Sequence, residues 1–275
     1  MSFKNKDVLN FYQELPFNIY GDIESAKDQI RKYNPTEVYP ELKKIISNYE
    51  KIKIIDFGCG GGWLVNSLSY HLKDKVDVTG VDFNPTVIEY ANEIKSQLSL
   101  NSKFISSDLF TFKSETKYDL IISLGVLHHT NNCEKAIEYI SNFGKAGSFL
   151  FLGLYHYYGR KPFLDYFKQM ENKSEDYKFN EYKKLHKIKD EKKIYSWFRD
   201  QVLHPHETQH TFEEIIPIFN SINYKITGSS INKFNKIIDY EKIINEEKKM
   251  TLYSEDKIRN KEYFPGFFIT IGKKN

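Results

Sequence analysis

Cysteine is scarce in this sequence, with only Cys59 and Cys133 among 275 residues. The two sit in unrelated contexts, so neither a disulfide framework nor a metal-type cysteine pair is in prospect, and a reduced, cytoplasmic setting is expected. Arginine is equally sparse: Arg31, Arg160, Arg199 and Arg259 are the only four among 40 Lys+Arg. A dedicated nucleic-acid binder concentrates positive charge and uses arginine forks on phosphate. Here lysines are spread along the whole chain and 37 Asp+Glu leave a net charge of +3, so nucleic acid is disfavoured as a partner. No apolar run approaches the length of a membrane span, so no membrane partner is expected. Residues 1–15 carry charges at Lys4, Lys6 and Asp7 and lack the apolar centre of a signal peptide.

What the sequence does have is an alternation of short apolar runs with helical patterns, the signature of a parallel sheet with crossover helices. Candidate strands fall at 53–57, 76–81, 103–106, 119–123, 148–154, 224–230 and 267–272, with helical stretches near 63–71, 85–98 and 133–143. Asn84 followed by Pro85 is a helix start, the first capping free amides and the second fitting the first helical position. Lys145-Ala146-Gly147 reads as the turn into the fifth strand, and Thr211 with Glu214 as a capping box. The expectation is one α/β domain built on a doubly wound, seven-stranded sheet. Residues 1–50 form an N-terminal cap, 51–154 the core, 155–210 an insertion after strand five, and 211–275 the end of the core. A helical insertion at 231–262, with its helix at 236–250, follows strand six. Both insertions leave from carboxyl ends of strands, the edge where ligands bind in such sheets, so both are expected to fold over that edge as lids.

The strongest local signal is Ile54-Ile-Asp-Phe-Gly-Cys-Gly-Gly-Gly-Trp63. Glycines at 58, 60 and 62 let backbone turn tightly and lie against a ligand. A nicotinamide fingerprint places its third glycine where Trp63 stands, so the loop suits a ligand without pyrophosphate that offers a cation or hydroxyl to Asp56. Val81-Asp82-Phe83-Asn84 puts an acid at the end of strand two, positioned for both hydroxyls of a ribose. Asp108, in Ser106-Ser107-Asp108-Leu109, is placed to take an exocyclic amine, and Tyr118-Asp-Leu-Ile-Ile-Ser-Leu-Gly-Val-Leu-His-His-Thr130 follows.

These four motifs, in this order over residues 50–155, resemble the class I S-adenosylmethionine-dependent methyltransferases. The resemblance implies a Rossmann-like fold, S-adenosylmethionine as cofactor and S-adenosylhomocysteine as product. It gives the methionine part to Asp56, Gly58, Cys59, Gly60 and Gly62, the ribose to Asp82 with Phe83 and Asn84 beside it, and adenine to Ser107, Asp108 and Leu109. Ser123, Leu124 and Gly125 would line the cofactor. The whole chain, including Leu15-Pro-Phe-Asn18 and Ser196-Trp-Phe-Arg-Asp200, is also similar to a recurrent bacterial subgroup of these enzymes.

Six of the eight histidines fall in rim segments: His128, His129, His156, His204, His206 and His210; His71 and His186 read as surface residues. Histidine titrates where an acceptor must lose its proton, so His128, His156, His204 and His206 are the candidate bases, with His129 read as packing. His206-Glu-Thr-Gln-His210 matches a zinc-protease pattern, but Pro205 and the capping box keep it off a helix, and no metal is expected. Tyr155 is a candidate for cation–π contact with a sulfonium, while Arg199 and Arg160 hint at an anionic group on the acceptor. Tyr12, Phe17, Asn18 and Tyr20 are a candidate flap over the cofactor. The function expected is methyl transfer to a small polar molecule. Its rivals are methylation of transfer RNA or protein, cyclisation or cleavage of S-adenosylmethionine, and a sensor that binds the cofactor without chemistry. Residues 155–210 carry 12 Lys/Arg against 9 Asp/Glu, without the basic apron that RNA would need.

Overall fold

The fold was taken from a computed structural model that describes residues 6–17, 19 and 22–275. Strands β1 (Ile52–Phe57), β2 (Val76–Asp82), β3 (Lys103–Ser106), β4 (Tyr118–Leu124), β5 (Gly144–Tyr155), β6 (Tyr224–Ser229) and β7 (Phe267–Lys274) form one sheet of order β3-β2-β1-β4-β5-β7-β6. The first five run parallel, and β7 lies antiparallel between β5 and β6. The near-continuous apolar runs of β1 and β4 follow from burial on both faces. Along β1 the two faces alternate: Ile52 and Ile54 join Leu64, Val65 and Leu68, whereas Ile55 and Phe57 join Ile137, Ile140, Phe212 and Phe219.

Among the described residues, four helices precede the sheet: α1 (Lys6–Glu14), α2 (Ile23–Lys32), α3 (Pro35–Val38) and α4 (Pro40–Ile46). The crossover helices are α5 (Trp63–Leu72), α6 (Pro85–Gln97) and α7 (Cys133–Ser141). After β5 come α8 (Tyr157–Lys168), α9 (Glu175–Lys184) and α10 (Glu191–Val202), then an extended stretch to His210 and α11 (Phe212–Ser221). Asn84 caps α6 through its side chain with Pro85 at the first position, and Thr211 with Glu214 completes the capping box of α11.

Two sequence expectations need correction. Strand β5 begins at Gly144 and takes 145–147 into itself: pairing with β4 jumps from Tyr118↔Gly144 to Leu120↔Phe149, a bulge that Gly147 allows with φ +76°. The helix expected at 236–250 is two, α12 (Tyr240–Glu247) and α13 (Met250–Arg259), with α13 packed on α8. The insertion after β5 buries its own apolar cluster, Phe163, Phe167, Tyr182, Leu185, Ile194 and Phe198, which absorbs much of its aromatic content.

Fully buried Glu247 ties the second insertion down. It accepts from Phe212 N (2.6 Å) and Glu213 N (3.4 Å) at the start of α11 and from His156 Nε2 (2.9 Å). His156 Nδ1 accepts from Gly159 N (3.2 Å), capping α8. Both ring nitrogens of His156 are thus engaged and its ring is fully enclosed, so the expectation of a catalytic base there is corrected to a structural role.

Candidate functional site

At the end of β1 the chain turns through Gly58 (φ +75°), Gly60 (φ +50°) and Gly62 (φ +74°) into α5. A Cβ on Gly58 would lie 2.3 Å from Val126, and one on Gly62 2.7 Å from Ala91 and Phe104. These two glycines let the loop press against its neighbours. A Cβ on Gly60 would meet nothing within 4 Å, so that face of the loop looks onto open space. Asp82, ending the neighbouring strand, accepts from Gly60 N (2.9 Å) and from Asn84 N (2.9 Å). The loop and the second acid are therefore one unit.

Burial and the adjacent Asp82 push the Asp56 carboxyl up to about 8. Burial raises Asp82 as well, against the pull of the Asn84, Gly60 and Phe83 amides. Neither carboxylate forms an ion pair among the described residues. Two acids beside an open glycine face fit a ligand that brings its own positive charge. Cys59, held between them, has its thiol pushed well up by burial and by Asp82 and Asp56, so it stays protonated and packs against Gly80.

The remaining cofactor candidates divide. Asp108 Oδ1 accepts from Phe110 N (2.8 Å), shaping the turn after β3, while Ser107 N donates to Asp82 O (2.8 Å) and Leu109 packs on the core. Phe83 and Asn84 face α1: Asn84 Nδ2 donates to Tyr12 O (3.0 Å), and the Phe83 and Tyr12 rings are 6.3 Å apart. Ser123 needs correction, because it is fully buried and its Oγ donates to Phe57 O (3.0 Å), fastening β4 to β1. Leu124 is partly buried on the opposite sheet face, with Leu120 and Ile122, and Gly125 (φ +76°) donates to Gly153 O (3.1 Å) as the chain leaves the sheet.

Immediately after Val126, the chain carries a short 3-10 turn, Leu127–His129. Residues 206–208 run alongside it in extended form: Thr208 N donates to His128 O (2.8 Å), His129 Nδ1 to His206 O (3.0 Å), and His206 Nε2 to Thr130 O (3.1 Å). The H-E-x-x-H stretch is thus a clamp on the His-His turn. Its Glu207 is held by Arg160 through Nε (3.0 Å) and Nη2 (2.6 Å). His204 stacks on His129 at 3.8 Å between ring centres, and Phe11 and Tyr12 of α1 lie against it at 5.0 and 5.4 Å. Tyr12 hydroxyl donates to Asp200 Oδ1 (2.6 Å), and Tyr155 hydroxyl stands 3.5 Å from Asp200 Oδ2. Helix α1 thereby bridges the glycine-loop unit and the insertion.

Desolvation keeps these imidazoles neutral: it holds His128 well below its ordinary value, His129 at about 4 and His204 at about 3. Burial likewise raises Asp200, against the Tyr12 hydrogen bond. Burial opposes the charge on Arg160, but Tyr155 and Glu207 outweigh it and the guanidinium is held above its usual range.

The arginine expectation is corrected by these partners. Arg160 is fully buried, occupied by Glu207 and Gln201 O (2.7 Å), and Arg199 donates to Glu14 (3.1 Å) while lying 4.5 Å over Phe11. Tyr155 is sandwiched between the His128 ring (4.1 Å) and the Arg160 guanidinium (3.9 Å), so neither face is open to a sulfonium. His71, expected at the surface, bonds Ile30 O (2.8 Å), and His186 packs against Tyr263 (4.1 Å) and Tyr182 (4.5 Å). Of the expected flap, Asn18 and Tyr20 lie outside the described residues. His129, expected to pack, is oriented by a clamp that joins segments 77 positions apart.

The model of a methyltransferase-domain family matches residues 48–215. Over 140 residues the chain is 28% identical to the ubiquinone biosynthesis O-methyltransferase of Rickettsia felis, covering 50% of this chain and 56% of that protein. Over 127 residues it is 33% identical to putative methyltransferase 235L of invertebrate iridescent virus 6, covering 46% and 45%. The chain thus spans about half the length of the curated relatives it matches. Among solved structures, PKMT2 of Rickettsia typhi with AdoHcy superposes at TM-score 0.62 and 18% identity, covering 85% of this chain and 52% of that one. Magnesium protoporphyrin IX methyltransferase of Synechocystis with bound SAM gives 0.55 and 14%, covering 100% of both. With the sheet order, the glycine loop and the matched domain in agreement, the chain belongs to the class I S-adenosylmethionine-dependent methyltransferases.

Proposed function

We propose that this protein transfers a methyl group from S-adenosylmethionine to a small polar molecule by direct displacement, leaving S-adenosylhomocysteine. The observation that carries this reading is the unpaired acid couple, Asp56 and Asp82, beside the open face of Gly60, with a wall of neutral imidazoles next to it. The cofactor supplies an electrophilic methyl carbon on a sulfonium. Asp56 would take its ammonium group and Asp82, already oriented by the Gly60 and Asn84 amides, its ribose. The His128–Thr130 turn and the 204–208 segment would hold the acceptor in line and keep water out, and alignment of this kind supplies much of the rate.

The R. felis relative, by its name an O-methyltransferase of ubiquinone biosynthesis, supports a small-molecule acceptor. Balanced charge over 155–210 favours that over RNA. Since Arg160 and Arg199 are committed elsewhere, the acceptor is proposed to be uncharged. Cys59 and Cys133 are unpaired thiols, in keeping with a cytoplasmic location, and no helix among the described residues is long and apolar enough to cross a membrane. Calorimetry with S-adenosylhomocysteine tests the cofactor site: we expect heat of binding that Asp82→Ala abolishes, and an unchanged affinity in that variant would remove the ribose assignment. Release of methylthioadenosine on turnover would replace methyl transfer with cyclisation or cleavage.

A further inference from the structure

Four of the rim histidines, His128, His129, His204 and His206, have their proton positions fixed by backbone groups, and one of them differs from the rest. Tyr155 N donates to His128 Nδ1 (3.3 Å) and His206 N donates to His204 Nδ1 (3.1 Å). An amide can only donate, so in these two rings Nδ1 is the lone pair and Nε2 carries the hydrogen. At His129 the partner of Nδ1 is the His206 carbonyl (3.0 Å), which can only accept. Its hydrogen is therefore on Nδ1, and Nε2 is a bare lone pair. His206 spends its Nε2–H on Thr130 O (3.1 Å). The Nε2 atoms of His128, His129 and His204 are all buried and have no hydrogen-bond partner among the described residues. His129, 5% exposed, lies between the other two, with ring centres 4.3 and 3.8 Å away. Orphaned polar atoms of this kind are costly unless a ligand satisfies them.

We infer that His129, through Nε2, accepts the proton of the acceptor, and that the group methylated is a hydroxyl on an uncharged molecule bearing a neighbouring oxygen. The inference rests on the methyl-transfer reading above. The three neighbouring rings carry one lone pair and two N–H donors, the complement of a hydroxyl with an adjacent carbonyl or hydroxyl oxygen. An ammonium group would need a free carboxylate, and Asp200 is held by Tyr12 and Tyr155. A carboxylate or phosphate would need a free arginine, and both nearby arginines are committed. His129 stands where the reaction occurs: it follows β4, which pairs with β1, and Val126 of the same segment packs on Gly58 of the cofactor loop. In the step, the hydroxyl oxygen bonds the methyl carbon as the carbon–sulfur bond breaks. That bond's electron pair stays on sulfur, neutralising the sulfonium, and the hydroxyl proton passes to His129 Nε2 and then to solvent. Burial keeps the resting ring neutral but also weakens it as a base, against Glu207 and the His206 carbonyl, which raise it, with Arg160 and His206 acting with burial; the proton is therefore taken as the hydroxyl oxygen turns acidic on bonding the methyl carbon.

Nitrogen-15 histidine NMR of the complex with S-adenosylhomocysteine tests the inference, with His129→Gln assigning the resonance. We expect His129 to stay neutral from pH 6 to 8 with its hydrogen on Nδ1, and its Nε2 signal to move when catechol, but not benzylamine, is added. A hydrogen on Nε2, or a signal that catechol leaves in place, would overturn it. With S-adenosylmethionine, His129→Gln should slow methyl transfer to catechol by about 10²–10⁴-fold. Its calorimetric affinity for S-adenosylhomocysteine should hold within about twofold, because a general base acts on the acceptor and not on the cofactor. An unchanged rate would equally overturn the inference. Absence of any S-adenosylhomocysteine heat in the wild-type protein would instead sink the cofactor reading, so the two failures are distinguishable.

Discussion

At the scale of single residues, Asp56 carries the most direct consequence. Its carboxyl has a folded value of about 8 against 3.8 in an unfolded chain. Between those values the native state holds a proton that the unfolded state has released, so this group makes the ligand-free protein less stable as pH rises. A cationic ligand reverses the balance by favouring the ionised form. We expect affinity for S-adenosylhomocysteine to climb by up to about tenfold per pH unit from 6 to 8, then flatten. Calorimetry in buffers of different ionisation enthalpy should show up to one proton released per ligand below pH 8, and Asp56→Asn should abolish both effects. Asp56, Gly58 and Asp82 could be picked out from the sequence because their pattern is local, an apolar run ending in an acid before glycines. The choice among the histidines was not legible, since it depends on which backbone group faces Nδ1, and that is decided by the pairing of 206–208 with 128–130. Ser123 misled for a similar reason: its place after an apolar strand suits a ligand, yet its hydroxyl is turned onto Phe57 O.

At the scale of elements, local chemistry served well wherever a cap or a periodic run declared itself. Asn84-Pro85 and Thr211 mark helix starts that the structure reproduces. Where an element owes its position to a distant partner, the sequence was mute. Helix α2 packs on α5, where His71 bonds Ile30 O, α4 adds Leu42, Ile45 and Ile46 to the apolar layer against the sheet, and the insertion after β6 is positioned by Glu247. Glu247→Ala would leave His156 Nε2–H and two amides at the start of α11 without their acceptor. Buried orphaned donors cost about 1–3 kcal/mol each. We expect urea unfolding to report a loss of at least about 2 kcal/mol, while Lys248→Ala, altering the exposed neighbour, stays within about 0.5 kcal/mol.

At the scale of the whole molecule, α1 joins the turn after β2 to the insertion after β5. Tyr12 gives its carbonyl to Asn84 beside the cofactor loop and its hydroxyl to Asp200 of α10, with its ring against His204. Tyr12→Phe removes only the hydroxyl contact, in a setting where burial already disfavours the Asp200 charge. A hydrogen bond to such a group contributes about 1.5–3 kcal/mol, and 1.4 kcal/mol is a factor of ten. We therefore expect S-adenosylhomocysteine to leave the variant about tenfold faster or more, read by stopped-flow tryptophan fluorescence; an unchanged rate would show that α1 does not gate the cofactor.

The clamp between 206–208 and 128–130 bears on how such enzymes diversify. A chimera given a foreign segment after β5 would gain new acceptor walls and lose the His206 carbonyl that assigns the hydrogen on His129. On the proposed role of His129, acceptor choice and proton chemistry are written in one strand of peptide, so a change of substrate by insertion swapping must re-create that carbonyl or find a different base.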